Sequence, residues 1–144
     1  MGLVSQRMRT IALVSCGAAK TDQAKLHAVM AQDLYTGGIF QQARAWAIRH
    51  ADEWRILSAK HGLLYPDAAV RWYDVSMKDL SRVGRADWAR LVRMRLQHQG
   101  LWGERLVLLA GKDYEGAVAG APHVEKPLEH LGTGYRRQWF KENT

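Results

Sequence analysis

The chain has 144 residues, 47% of them apolar, enough for one domain spanning 1–144 to bury roughly two-thirds of its unfolded surface and to exclude wholesale disorder. A formal net charge of +7 suits an anionic partner such as nucleic acid, a nucleotide or a membrane surface, or is merely dispersed over a basic domain. The single cysteine, Cys16, excludes an internal disulfide and any multi-cysteine zinc site, and a lone thiol fits a reducing cytoplasm.

The opening "MGLVSQ" has the start of a myristoylation signal but carries Gln6 where Ser or Thr is wanted, so no lipid anchor is expected. "RTIALVSCG" is a continuous apolar run closed by Cys16-Gly17. It is too short and β-branched for a signal peptide and predicts a strand buried on both faces. After the polar "AAKTDQAK", apolar residues recur at helical spacing from about Ala28 to His50 (Leu34, Phe40, Ala43, Ala47), and Gly37-Gly38 divides the stretch into two helical pieces.

"WRILSAK" predicts a second strand with Trp54 beneath the sheet, and "GLLYPDAAVRWYD" a loop carrying Pro66. Residues 78–99 read as a long amphipathic helix with Leu80, Val83, Trp88, Leu91, Val92 and Leu96 on one side. "ERLVLLAG" is a third buried strand, "KDYEGAVAGA" a short helix, "HVEKPL" a short strand or extended piece and "TGYRRQWFKEN" a basic amphipathic helix. No run approaches the roughly 20 apolar residues that span a bilayer, so no membrane role is expected.

Strands alternating with helices predict an α/β fold, a single-domain three-layer sandwich with a mostly parallel sheet. Ligands in such folds bind beyond the C-terminal strand ends. Three strand ends, "SCGAAK", "SAKHG" and "LAGKDY", each combine small residues with a lysine. Backbone N–H groups there can approach an anion, and Lys20, Lys60 and Lys112 add mobile charge, or else stay solvated. No Walker or dinucleotide fingerprint is present, and no His spacing points to a metal, so no cofactor and no metal are expected.

Cys16 is either a reactive strand-end thiol or a buried, inert one. His61 could act as an acid or base, or be an ordinary loop histidine. Asp33-Leu34-Tyr35 and Tyr73-Asp74 are acid–tyrosine pairs. Their carboxylates are candidate bases or nucleophiles, with a surface position for Asp33 and a helix N-cap for Asp74 as the alternatives. Among six tryptophans, Trp88 fits the core, while Trp72 and Trp139 are candidate stacking platforms beside basic residues such as Arg136 and Arg137. Docking of the last helix through Trp139 and Phe140 competes with that view.

Taken together, "VSCGAAK", "AQDLYTGGIF", "WRILSAKHGLLYPDAAVRWYD", "LVLLAGKDYEGAV" and the "PLEHLGTGYRRQW" tail resemble the YaaA-like superfamily over most of the chain. Ala18 and Ala19 stand where small members usually carry lysines, and Trp72 where proline is common. The resemblance implies substrate-binding positions at Ser15, Cys16, Lys20, Tyr35, Ser58, Gly62, Tyr73, Gly111 and Tyr114, with Lys60, Asp74 and Asp33 as catalytic candidates. It also implies a link to nucleic acid and its bases, through protection of DNA from oxidative damage and base modification in tRNA. The expectation is an enzyme acting on a nucleobase of nucleic acid, DNA ahead of RNA, or of a nucleotide, by metal-independent N-glycosidic cleavage or a related modification. The alternative is a non-catalytic DNA- or RNA-binding protein of stress or phage–host response.

Overall fold

The computed structural model describes residues 7–144, so the "MGLVSQ" opening lies outside the described residues. Two of the three predicted strands become β1 (Thr10–Ser15) and β3 (Glu53–Ser58), and the third becomes β6 (Arg105–Leu109). Between β1 and β3 run α1 (Gln23–Leu26), β2 (Val29–Met30), α2 (Ala31–Leu34) and α3 (Gly38–His50). The expected pair of helices from Ala28 is therefore a two-residue strand, one helical turn and a full helix. Val29 pairs antiparallel with Val70, which takes the start of the stretch out of helical conformation.

The segment after β3, expected to be a loop, also contains structure: β4 (Gly62–Leu64) and β5 (Ala69–Val70). Short strands of this kind leave too few residues for a period to register. Beyond them lie a 3₁₀ turn (Met77–Asp79), α4 (Arg82–His98), β6, a 3₁₀ segment (Lys112–Val118), β7 (Val124–Glu125) and α5 (Thr133–Asn143). Ser81 caps α4 by accepting from the Gly84 N–H at 3.0 Å, which starts the helix later than residue 78.

The main sheet has the order β4-β3-β1-β6-β7, with β3, β1, β6 and β7 mutually parallel and β4 antiparallel to β3. Alternate strand residues face opposite sides, as a pleated sheet requires. Ala12, Val14, Ile56, Val107 and Leu109 meet Phe40, Ala43, Trp46 and Ala47 of α3 and Phe140 of α5. Ile11, Leu13, Leu57, Leu106 and Leu108 meet Trp88, Ala89, Val92 and Leu96 of α4. The result is helix, sheet and helix in three layers, burying the strands on both faces.

Two residues expected on the apolar side of α4 lie elsewhere: Val83 is 70% exposed and Leu91 41%. Trp54 is half-buried at the edge of the α3-side core. Trp139 packs on Trp46 with ring centroids 6.0 Å apart, so it docks α5 onto α3. Among the described residues no helix is long and apolar enough to cross a membrane.

Candidate functional site

The strand order puts a topological switch point between β1 and β6. The chain leaves β1 toward β3 on one side and returns through α4 to β6 on the other. Helical connections diverge there, and a crevice opens beyond the strand ends. Val14 is registered with both Ile56 and Leu109, so the three lysine-bearing strand ends lie side by side at one edge of the sheet.

A cleft of about 120 Å³ occupies this position, lined by Cys16, Gly17, Ala18, Lys20, Asp74, Val75, Ser76 and Tyr114. Cys16 directly follows β1, its N–H held by the Leu57 carbonyl at 2.9 Å, and its Sγ lies 3.8 Å from the Tyr114 hydroxyl. Tyr114 is carried by the 3₁₀ segment after β6 and meets Trp88 edge-on, with ring centroids 5.6 Å apart. Lys20 is bridged to Tyr35, while Thr21 donates to Leu34 at 2.8 Å and Thr36 to Ala19 at 3.0 Å. The backbone of the D-L-Y-T stretch thus stitches the loop after β1 in place.

Behind the cleft is a buried hydroxyl chain. The Tyr73 hydroxyl lies 2.5 Å from that of Tyr35 and 2.7 Å from Ser58 Oγ, which also accepts from the His61 N–H at 3.1 Å. Ser58 is anchored further by its carbonyl, which accepts from Trp88 Nε1 at 2.8 Å. Lys20 Nζ stands 4.6 Å and Lys60 Nζ 5.7 Å from the centre of the Tyr73 ring, within cation–π range. The His61 ring meets the same tyrosine edge-on at 5.1 Å.

Burial pushes the phenols of Tyr35, Tyr73 and Tyr114 well above their ordinary value, and negative charge on Cys16 would push them further. They remain neutral hydrogen-bonding groups across the physiological range. His61 goes the other way: burial lowers its pKa, and the positive charges of Lys60 and Arg95 lower it again.

The sequence candidates therefore divide. Cys16, Lys20, Asp74 and Tyr114 line one cleft, and Tyr35, Ser58 and Tyr73 form its buried support. Ser15 is half-buried at the end of β1. Lys60 is exposed beside Tyr73 but is not on the cleft wall. Asp33 faces Arg44 at 3.5 Å, a surface pair away from the cleft. Asp74 caps no helix, because the cap of the 3₁₀ turn that follows is Ser76, whose N–H bonds Asp79 at 2.8 Å.

Gly62 and Gly111 stand near the strand ends for reasons of their own. Gly62 has φ +74° and faces Arg95 of α4, while Gly111 faces the guanidinium of Arg136. Val75 and Ser76 also line the cleft wall but escape sequence reasoning, because neither residue type carries a spacing signal.

This fold and this cleft define a class: an α/β protein with a small strand-end site at the switch point of a parallel sheet. Within it, the chain belongs to the Family of unknown function (DUF6884), whose model matches residues 11–142. It is 35% identical over 141 residues to the Uncharacterized protein YfjM of Bacillus subtilis (strain 168), covering 91% of this chain and 92% of that one. No solved structure gives a significant match.

Proposed function

We propose that this protein is an enzyme acting on a nucleobase of a nucleotide or of nucleic acid, cleaving the N-glycosidic bond at the cleft beyond β1. The supporting observation is the convergence of Asp74, Lys20, Cys16 and Tyr114 in one cleft at the switch point. A volume of about 120 Å³ suits a single ring rather than a drug-sized ligand, whose pockets start at about 300 Å³.

In this reading the C1′–N bond breaks with its electron pair leaving on the base. The base takes up a proton from solvent, and the Asp74 carboxylate stabilises the sugar cation. Water then adds to C1′ and gives its proton to Asp74, which returns it to solvent so that the carboxylate is restored. Lys20 and, from the rim, Lys60 neutralise phosphate, and Tyr114 bounds the ring. On duplex DNA the base would have to be flipped out, at a cost of a few kcal/mol. Kinship with the YaaA-like superfamily and a cytoplasmic setting for the free Cys16 thiol belong to the same proposal.

Asp74→Asn is expected to lower base release at least a hundredfold, read by chromatography on oligonucleotides and nucleoside monophosphates, with affinity unchanged. A second reading, a non-catalytic nucleic-acid-binding protein, draws support from Trp72, 38% exposed with Lys25 Nζ 4.8 Å above its ring. It prevails if the wild-type protein binds strands and releases no base. Failure to bind either strands or nucleotides at low salt removes both readings.

A further inference from the structure

A second cavity, of about 330 Å³, lies on the far side of β6, between the start of the 3₁₀ segment, β7 and the N-terminal end of α5. Its wall includes Lys112, Lys126, Arg136, Glu115, Glu129 and Leu131. The charges in it sort into pairs and a remainder. Lys126 lies 3.9 Å from Glu115, and Glu129 lies 3.5 Å from the His130 imidazole, an ion pair only when that ring carries a second proton. Arg136 and Lys112 have no carboxylate partner among the described residues.

Arg136 is also the best-held cation of the group. Its Nε donates to the Leu131 carbonyl at 2.8 Å, which orients the guanidinium plane. Its two terminal nitrogens lie 3.3 and 3.4 Å from where a Cβ on residue 111 would be, so glycine at that position seats the guanidinium against the strand end. Those terminal N–H groups have no acceptor among the described residues. A half-buried guanidinium, fixed at one edge and free at the other, is a preformed fork for a tetrahedral oxyanion.

We infer that Arg136, seated on Gly111, together with Lys112, binds the phosphate group of a phosphomonoester in this cavity. Two cations of different kinds suit a dianion better than a single carboxylate, the fork fixing two oxygens and the lysine adding a mobile charge. The cavity is wide enough to hold more than the phosphate itself. The inference does not depend on any reaction at the Cys16 cleft, because phosphate binding is read directly.

The test is an amide NMR titration of the full chain with inorganic phosphate, with a nucleoside 5′-monophosphate and with the unphosphorylated nucleoside. Either phosphate compound should move the amides of Gly111, Lys112 and Leu131, and the nucleoside alone should not. The tighter of the two identifies the source as free phosphate or nucleotide. Arg136→Gln should weaken binding at least tenfold. Arg136→Lys should also weaken it, because charge is kept and the fork lost. Should Arg136→Gln fail to fold, Lys112→Gln and Gly111→Ala are each expected to weaken binding several-fold in a folded chain. No shift at these amides with either phosphate compound, or equal affinity in wild type and folded variants, overturns the proposal.

Discussion

Tyr73 carries two duties at once: its hydroxyl joins Tyr35 to Ser58, and its ring meets Lys20, Lys60 and His61. Tyr35 and Ser58 are fully buried, so neither hydroxyl has water as a substitute partner. Tyr73→Phe should therefore cost about 1–3 kcal/mol in urea unfolding, the penalty of leaving a buried polar group short of a partner. Pairing it with Ser58→Ala should give a non-additive double-mutant cycle, whereas simple additivity would mean the hydroxyls act independently.

His61 supplies a pH prediction at the same scale. Its folded pKa lies below the ordinary 6.5, through burial first and then Lys60 and Arg95. As pH falls through about 6.5 the unfolded chain takes up a proton that the folded chain refuses. The stability contribution is complete above that value and is lost on the way down to the folded pKa. His61→Gln should flatten this part of the stability profile between about pH 7.5 and 5.5, measured by urea unfolding. An unchanged slope would place its origin at another group.

At the level of elements, the β3–β4 hairpin depends on one backbone conformation. Gly62 has φ +74°, and a Cβ there would lie 3.0 Å from an Arg95 terminal nitrogen, the same one that donates to the His61 carbonyl at 2.6 Å. Gly62→Ala should lose about 1–2 kcal/mol from the left-handed conformation alone, and more as Arg95 shifts. Thermal unfolding reads the effect, and an unchanged midpoint would show that the hairpin relaxes freely. A helix long enough to show a period, such as α4, and a strand that is a continuous apolar run, such as β1, are legible in the residues themselves. The two-residue strands β2 and β5 are not, because what defines them is a partner, Val70 for Val29, far along the chain. The exposure of Val83 and Leu91 is equally hidden, since helical spacing marks a face without saying how much of it a neighbour covers.

For the whole molecule, the strand order decides the geometry of the candidate site. Parallel pairing of β1 with both β3 and β6 brings Cys16 to within 3.8 Å of Tyr114, almost a hundred residues on, and leaves Asp74 on the same cleft. Apolar content, strand and helix patterning, and the small residues that end each buried strand are properties of a few adjacent residues, so the sequence by itself determined the α/β class and pointed to the end of the sheet where the candidate cleft lies. Which strand ends meet depends on how the two apolar faces of one sheet close against α3 and α5 and against α4. Only that tertiary fit sent Asp33 to Arg44, Gly62 to Arg95 and Gly111 to Arg136, while drawing Lys20, Asp74 and Tyr114 together, because no local spacing encodes contacts made across the sheet.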